Sequence, residues 1–599
     1  MAAPQSGEKE PNSIRKLYQS MSEMLRLPQM ERFVFPALLV VFAFLGVNQG
    51  ADLTDTTYSL GNYEQFGQLK GDWIYATYLA NLCGHLFMKI TGGSLLRMNV
   101  LTRLLPLATA LSVYFVFRKR ISPVILFPGE LIALGLCWCP PVILYNYLSY
   151  LLFVGAGLLL WHWSETEQRK NLFLAGVVLG IAVLVRISNL VYCIWILFVC
   201  CHLAENRHSF KEIAKATGLC IGGYICGVAA AFLLLLGSEA SVGGIQGAVS
   251  GVTGMFGWVG SLFTSQAGDA GGYSMGGMLK SIVGGYLFGA KWFLPMLAGI
   301  LLGTLMFRIQ KKKFVAVKTL LYLCGAALLF VWYYRNGVFT VNYHNNGAFY
   351  GIGTILLWIL LLLFVYVASP FCHKILLRKE KELALFALLA LLAAPLGSNN
   401  HLYAVLNQLF LTVPIGIYLL GRWIQAQERK SRYLPLRYMF YAFIALFLVQ
   451  SVLFGSIYVF KDGEDGSSRD AVITENAVLR GMHTSASHQQ AIEGITAQLQ
   501  QAPEKTMLTY GNLPGLHYAL ALSPALSTLW PDLDSYAITD MEKELESLQE
   551  QDFWIVTAAK MPDYTGDMQK KYSLLQDFIY NNGYEIEYRN EEFIVYGKE

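Results

Sequence analysis

Apolar runs close to the length that crosses a lipid bilayer dominate this sequence. They lie near residues 33–47, 100–117, 121–138, 146–163, 171–186, 190–203, 216–238, 287–307, 314–333, 348–369, 382–396, 403–421 and 438–460. A transmembrane helix needs about 20 predominantly apolar residues, so the shorter runs are expected to extend into their loops. A mean hydropathy of +0.43 and a charged fraction of only 14% argue against a soluble protein. We predict a polytopic α-helical membrane protein of about 13 transmembrane helices.

The distribution of Lys and Arg tests this assignment. With the N-terminus in the cytoplasm, the tail 1–32 and the connections on that side carry 26 Lys and Arg residues, and those on the opposite side carry 5. Cytoplasmic loops of membrane proteins are enriched in these residues, and a wrong number of spans would scramble the asymmetry. We therefore expect a multi-pass protein of the plasma membrane, with residues 1–32 cytoplasmic and the C-terminus extracytoplasmic.

Two external segments stand out within the predicted membrane domain, residues 33–460. The first, 48–99, contains apolar residues four apart, as an amphipathic helix in the membrane interface would: Ile74, Tyr78, Leu82, Leu86 and Ile90. A short buried helix is the alternative. The second, 239–286, is rich in glycine with scattered Phe and Trp. Glycine at this density disfavours a regular element, so we predict a mobile external loop that touches lipid.

The composition changes at residue 461, where the chain becomes polar. Helical stretches are expected at 485–501, 538–551 and 566–581, strands at 506–511 and 553–557, and a hairpin at 584–596. Alternating strands and helices predict a soluble α/β domain over 461–599, of typical domain size. It contains neither a P-loop nor a GxGxxG sequence, so a nucleotide substrate is not indicated.

The ten cysteines all lie inside or beside apolar runs, and none follows Cys372. They show no metal-ligand spacing with histidines, so neither a disulfide framework nor a zinc site is predicted. No residue pattern identifies a cofactor or a nucleic-acid partner, and the use of a divalent metal stays open.

Asp52 and Asp55 are the candidate catalytic residues, just beyond the outer end of the first span. An acidic pair in a loop is usually only solvated. These two, however, precede an aromatic- and Asn-containing run, TTYSLGNYEQF, at the membrane surface, where a carboxylate can meet a lipid-borne and a water-borne substrate.

Substrate-binding candidates come from three other outer connections. Arg186 is a cation on the side that should have few, and it either reaches the lipid headgroups or pairs with a phosphate. Tyr145 and Asn146 open the fourth span, where an interfacial tyrosine is the simpler interpretation. Asn400 and His401 lie in the turn 395–403, and ordinary turn chemistry would also explain them.

In this order, the motifs resemble the GT-C superfamily of integral-membrane glycosyltransferases, the group that includes protein O-mannosyltransferases and aminoarabinose transferases. DLTDTTYSLGNYEQF resembles the acidic motif of that family's first external loop, and the paired fourth and fifth spans end, as in the family, on a basic residue. The segment YGNLPGLHYALALSPALSTLWPDLDSY resembles the external domains of bacterial members. The chain departs from many members in lacking two adjacent acids, which leaves the second acidic role open.

The resemblance implies an inverting transfer of a sugar from a polyprenyl-phosphate donor to a glycan, lipid or protein acceptor on the outer face. Asp55 would deprotonate the acceptor hydroxyl, with Asp52 as a helper. Arg186 would bind the phosphate, and Tyr58 of the same motif would contact substrate. The partners are then the lipid bilayer, the lipid-linked donor and the acceptor.

Two other functions remain open on the sequence. A transporter or flippase of a lipid-linked glycan would have the same overall hydropathy, but we find no related halves, and the spans contain almost no acidic residues for ion coupling. A non-catalytic envelope protein is the third possibility.

Overall fold

A computed structural model describes residues 23–69, 72–264, 275–309, 313–369, 377–398, 400–428, 436–500 and 505–598. Most of the predicted cytoplasmic tail, residues 1–22, lies outside these ranges. The first part of the described chain is helical, and a small mixed sheet follows the last membrane helix.

Within the described residues, eight helices are long and apolar enough to cross a membrane, judged by length and composition. They are Leu95–Phe117, Leu144–Thr166, Ile187–Glu205, Phe210–Ser241, Gly276–Arg308, Val315–Arg335, Asn346–Ala368 and Leu436–Ile457. Shorter helices coincide with the other five predicted spans: Phe35–Ala43, Pro123–Gly135, Arg169–Val185, Arg378–Ala393 and Thr412–Glu428. The helical class of the fold is therefore confirmed, while five of the predicted spans are shorter than a perpendicular crossing requires.

The predicted cytoplasmic connections contact one another. Arg120 forms an ion pair with Glu165, and Arg378 donates to Asn206. Arg422 Nε lies 2.6 Å from a carboxylate oxygen of Glu380.

The predicted external connections likewise meet on their own side. The Tyr63 hydroxyl donates to the Val142 carbonyl over 2.9 Å, and Arg186 donates to the Gly397 carbonyl over 2.9 Å. These contacts join connections that the alternation of spans places on the same side, and which side is cytoplasmic stays a prediction.

The prediction of a mobile glycine-rich loop over 239–286 is wrong for its described part. Residues 239–264 continue the helix Phe210–Thr264 across a kink at Gly244, where φ is +60°, and residues 275–286 belong to the helix Met275–Arg308. Residues 265–274 are outside the described ranges. The low helix propensity of glycine is therefore not sufficient to prevent a helix here.

Glycines also bring two membrane helices into backbone contact. A Cβ atom at Gly176 or Gly180 would lie 2.1 or 2.2 Å from backbone oxygens of the helix Phe210–Thr264, and one at Gly223 or Gly227 would meet backbone oxygens of the helix Arg169–Val185 equally closely. Small residues four apart on facing helices allow this approach in membranes.

The predicted interfacial stretch forms two short helices, Asp72–Ala76 and Tyr78–Thr91. Ile74 and Tyr78 are buried, whereas Leu86 and Ile90 are 51% and 75% exposed. The apolar stripe is therefore buried at its start and exposed towards its end, and its placement in the membrane interface stays a prediction.

The C-terminal region contains a four-stranded sheet in the order β3-β4-β6-β5. Its strands are β3 Met507–Tyr510, β4 Trp554–Ala558, β5 Tyr584–Arg589 and β6 Phe593–Lys598, and only β3 and β4 run parallel. An antiparallel pair, β1 Ala471–Val472 and β2 His483–Thr484, precedes it. The helices are Ala486–Leu499, Leu516–Leu520, Ile538–Ser547 and Asp567–Asn581. The predicted strands, hairpin and helices are confirmed within a few residues; the β1–β2 pair was not predicted.

Candidate active site

A cavity of about 140 Å³ lies where the first external segment meets the outer ends of the membrane helices. Four chain segments supply its polar and aromatic lining: Asp52 and Thr56, Asn99 and Arg103, Trp138 and Cys139, and Tyr458 and Phe460. Residues far apart in the sequence thus line one cavity, and Asp52 is the sequence candidate among them.

Asp52 is buried at this wall and accepts hydrogen bonds at the start of the helix that follows it. Its carboxylate accepts hydrogen bonds from the Thr54 backbone and hydroxyl and, over 2.8 Å, from the Thr56 backbone N–H. Burial raises the pKa of Asp52, the charge of Asp55 adds to this effect, and the Thr54 and Thr56 bonds oppose it. The first N–H groups of a helix have no partner within the helix, and a capping side chain accepts their hydrogen bonds. Asp52 does this for Thr56 and so stabilises the start of the helix Asp55–Glu64.

Asp55, in contrast, is accessible and paired with a cation. Its carboxylate lies 2.7 Å from the Lys461 ammonium, and the two side chains are 39% and 37% exposed. Burial works to lower the pKa of Lys461, but the charge and hydrogen bond of Asp55 outweigh it and raise this pKa. Asp55 and Lys461 are not among the residues that line the cavity, but their sequence neighbours Thr56 and Phe460 are, and we use the word rim for this position next to the lining.

Aromatic side chains form one side of the cavity. The Trp138 ring lies 5.7 Å from that of Tyr403 and 6.1 Å from that of Phe460, and its indole N–H donates to the Tyr403 carbonyl. The Tyr458 hydroxyl is buried and has no hydrogen-bond partner among the described residues. A buried hydroxyl of this kind is free to bond to a polar ligand.

Arg186, Tyr145 and Asn146, predicted independently, form one cluster. The guanidinium of Arg186 lies 5.3 Å from the centre of the Tyr145 ring and 3.4 Å from the side-chain oxygen of Asn146, and it donates to the Gly397 carbonyl. A planar guanidinium with five N–H donors has further capacity for an anion beyond these bonds.

Cys139 connects this cluster to the cavity. Asn146 donates to its sulfur over 3.3 Å, and Cys139 itself lines the cavity. Burial raises the pKa of the Cys139 thiol; Asp55 raises it further and Arg186 opposes the rise. Arg186 is therefore linked to the cavity wall through Asn146 and Cys139.

The remaining predicted residues are further from the cavity wall. His401 contacts Ser281 through its backbone N–H and its ring, and the Asn400 backbone N–H donates to Ser398, in the turn that Arg186 reaches through Gly397. Tyr58 is buried against Trp530, with ring centres 5.1 Å apart, and burial raises its pKa to about 12. Tyr58 thus packs the first external helix onto the C-terminal region and does not line the cavity.

Several residues in the cavity lining, and Lys461 beside it, were not predicted from the sequence. The criterion that selected Arg186 also applies to Lys461, because Lys461 is a cation at the predicted external end of a span, where few cations are expected. Arg103 and Asn99 donate to backbone carbonyls of residues 43–47, so they hold the end of the first membrane helix. Trp138 and Phe460 had no signal beyond their aromatic character.

No group of three or more His, Cys, Asp or Glu side chains that could hold a metal ion occurs in the described part of the chain. The cavity wall contains one acidic side chain, Asp52, and two neutral cysteines, Cys137 and Cys139.

No protein-family model matches the chain, and a search of curated proteins finds no match either. Among solved structures, the chain is similar to ArnT from Cupriavidus metallidurans bound to undecaprenyl phosphate, with 11% identity, a TM-score of 0.42, and coverage of 95% of this chain and 98% of that one. It is also similar to the Archaeoglobus fulgidus oligosaccharyltransferase in complex with Zn and sulfate, with 11% identity, a TM-score of 0.45, and coverage of 94% and 73%. A third structure, the same oligosaccharyltransferase tethered to an acceptor peptide, has 12% identity, a TM-score of 0.45, and coverage of 96% and 75%. At these identities and TM-scores the likeness assigns no role to any residue of this chain.

Proposed function

We propose that this chain is a membrane glycosyltransferase that moves a sugar from a polyprenyl-phosphate donor to an acceptor on the extracytoplasmic face. The observation that carries the proposal is the Asp55–Lys461 pair, 2.7 Å apart at the rim of a cavity at the outer helix ends. An accessible carboxylate can take a proton from an acceptor hydroxyl, and an adjacent ammonium can stabilise a phosphate leaving group.

The contrast between the two aspartates supports Asp55 as the general base. A base has to come within hydrogen-bond reach of the acceptor hydroxyl, about 2.6–3.2 Å. Asp55 presents its carboxylate at the rim, whereas Asp52 is 5% exposed and uses its oxygens on Thr54 and Thr56. Asp52 then acts as the helper, because it holds the helix on which Asp55 is the first residue.

Two cations are available for the donor phosphate. Lys461 is at the rim beside Asp55, and Arg186 contacts Asn146, which in turn donates to Cys139 of the cavity wall. A phosphate that drew Lys461 away would also release the Asp55 carboxylate for proton transfer. Donor binding and base activation are coupled in this arrangement.

The aromatic wall suits the sugar. Trp138 and Phe460 offer flat apolar faces, and the Tyr458 hydroxyl offers an unused hydrogen-bonding group. Amphipathic aromatic side chains of this kind can contact a sugar through a face and a polar edge together. The bond that breaks joins the sugar to the phosphate, and the one that forms joins it to the acceptor oxygen, with inversion at the sugar carbon.

The substitution Asp55→Asn tests the proposal. It keeps the shape of the side chain but cannot accept the proton, so the transfer rate from a polyprenyl-phosphate sugar should fall by roughly 10²–10⁴-fold. Asp540→Asn is the matched control, because Asp540 is also an exposed carboxylate in the first turn of a helix.

Normal expression of Asp55→Asn with a full transfer rate would refute Asp55 as the base. Movement of labelled lipid across sealed vesicles, without cleavage of the sugar–phosphate bond, would instead favour a transporter.

A further inference from the structure

The segment that carries the acidic pair is held by the C-terminal region through its backbone. The His483 N–H donates to the Asn48 carbonyl over 2.8 Å, and the Gly50 N–H donates to the His483 carbonyl over 2.9 Å. Gln49 therefore pairs with His483 of strand β2 in a short parallel bridge.

Two further contacts hold the residues on either side of Asp52. The buried carboxylate of Asp462 accepts from the Ala51 N–H over 2.7 Å and from the Thr484 hydroxyl over 2.9 Å. The Gly515 N–H donates to the Leu53 carbonyl over 2.9 Å. A Cβ atom at Gly515 would lie 1.7 Å from the Thr57 hydroxyl oxygen, so glycine is needed for this approach.

His488 completes the set at Ala51. One ring nitrogen lies 2.7 Å from a carboxylate oxygen of Glu592, and the other lies 3.0 Å from the Ala51 carbonyl. Both partners are acceptors, and only the charged imidazolium donates from both nitrogens. The charged form of His488 therefore links Glu592, in the turn between β5 and β6, to Ala51, the residue before Asp52.

We propose that the C-terminal region positions residues 48–55 of the first external segment. In this proposal the hydrogen bonds of charged His488 to Glu592 and to the Ala51 carbonyl, which we call the latch, hold Ala51 and so position Asp52 and Asp55. The latch rests on the contacts above, and its effect on catalysis rests on the proposed function. Asp462 accepts a hydrogen bond from the Ala51 N–H, and His488 donates one to the Ala51 carbonyl. Loss of either bond would let Ala51 move, and with it the adjacent Asp52.

The latch should depend on pH. Burial lowers the pKa of His488, but the hydrogen bond and charge of Glu592, the Ala51 carbonyl and the charge of Asp462 together outweigh it, and the pKa is raised to about 9. The pKa of His488 in the folded protein exceeds that of a free histidine, about 6.5. The stabilisation that charged His488 provides is therefore complete below about pH 6.5 and is lost as the pH rises through about 9.

Amide hydrogen exchange of residues 48–56 in the full-length protein measures the latch directly. After correction for the intrinsic rate, exchange in the wild type should accelerate by about tenfold or more between pH 7 and 10, since hydrogen bonds to charged groups are among the strong ones. Strand β4 should show no matching change. Glu592→Gln should move the midpoint of this transition to lower pH, and His488→Gln should abolish it. Lys570→Gln, which breaks an exposed ion pair with Asp567 in the same region, is the control.

A wild-type transition that is absent, or equal in β4, would overturn the latch, and so would an unchanged midpoint in Glu592→Gln. The wild-type series decides the matter even if a variant fails to fold. In a transfer assay, His488→Gln should lower kcat more than it raises KM for the donor. Should Asp55→Asn remain active while the exchange transition is seen, the proposed base fails and the latch stands.

Discussion

At the scale of single residues, the environment separates two aspartates that are three positions apart. Asp52 is 5% exposed and hydrogen-bonded to the backbone, whereas Asp55 is 39% exposed and paired with Lys461. Chemically identical side chains thus acquire a buried, hydrogen-bonded position and an accessible, ion-paired one, because one precedes the helix Asp55–Glu64 and the other starts it.

Arg186 offers a test of phosphate binding. Arg186→Ala should raise KM for the donor by roughly tenfold to a hundredfold, the usual effect of losing a charge-assisted hydrogen bond. Arg186→Lys should recover only part of this loss, because an ammonium cannot reproduce the planar fork. Steady-state kinetics at limiting donor measures both.

Arg97→Ala is the control for Arg186, since Arg97 is an exposed arginine in the predicted external segment and does not line the cavity. Wild-type donor kinetics in both Arg186 variants would leave Arg186 as a membrane-surface anchor. The Tyr145 and Gly397 contacts would then be its full role.

At the scale of elements, glycines decide how two membrane helices pack. A valine at Gly223 would place its Cβ 2.1 Å from the Phe173 carbonyl oxygen on the helix Arg169–Val185, so the two helices would have to separate. Overpacking of this kind typically costs about 1–3 kcal/mol. We expect Gly223→Val to lower the temperature of unfolding in detergent.

Gly222→Val is the matched control on the same helix, because a Cβ atom at Gly222 meets nothing within 4 Å. Both variants change helix propensity equally, so only the packing differs. Equal unfolding temperatures for the two variants would contradict the proposed backbone contact.

The same glycines show where prediction from sequence succeeds and where it stops. Hydropathy and strand–helix alternation predicted the membrane helices and the strands β3 to β6, because both patterns reflect burial along a local segment. The glycine density of residues 239–264 predicts a loop, but the segment is helical, because helix propensity is a weak guide that tertiary context can override. Within the site, Arg186, Tyr145 and Asn146 were separate candidates from charge bias and span ends; the structure brings them together, and their role in binding stays a prediction. Lys461, Trp138 and the contacts of His488 depend on tertiary folding over hundreds of residues, which no local pattern records.

At the scale of the whole molecule, the catalytic proposal requires the C-terminal region to lie on the same side of the membrane as the acidic segment. The structure satisfies this requirement, since Asp462, His483 and His488 all contact residues 48–51. The Lys and Arg asymmetry predicts that this side is extracytoplasmic. The orientation can therefore be tested through any exposed position of the C-terminal region.

A cysteine at Ser468, which is exposed, should react with a membrane-impermeant thiol reagent in intact cells. A cysteine at Lys170, exposed in the predicted cytoplasmic connection 164–170, should react only after lysis. Parent protein with its own cysteines gives the background, since Cys193, Cys201, Cys226 and Cys324 are exposed on helices within the predicted spans. The reversed pattern would put Asp55, Lys461 and the cavity on the cytoplasmic face. A polyprenyl-linked donor presented outside the cell could not then reach the base, so the same experiment bears on both topology and chemistry.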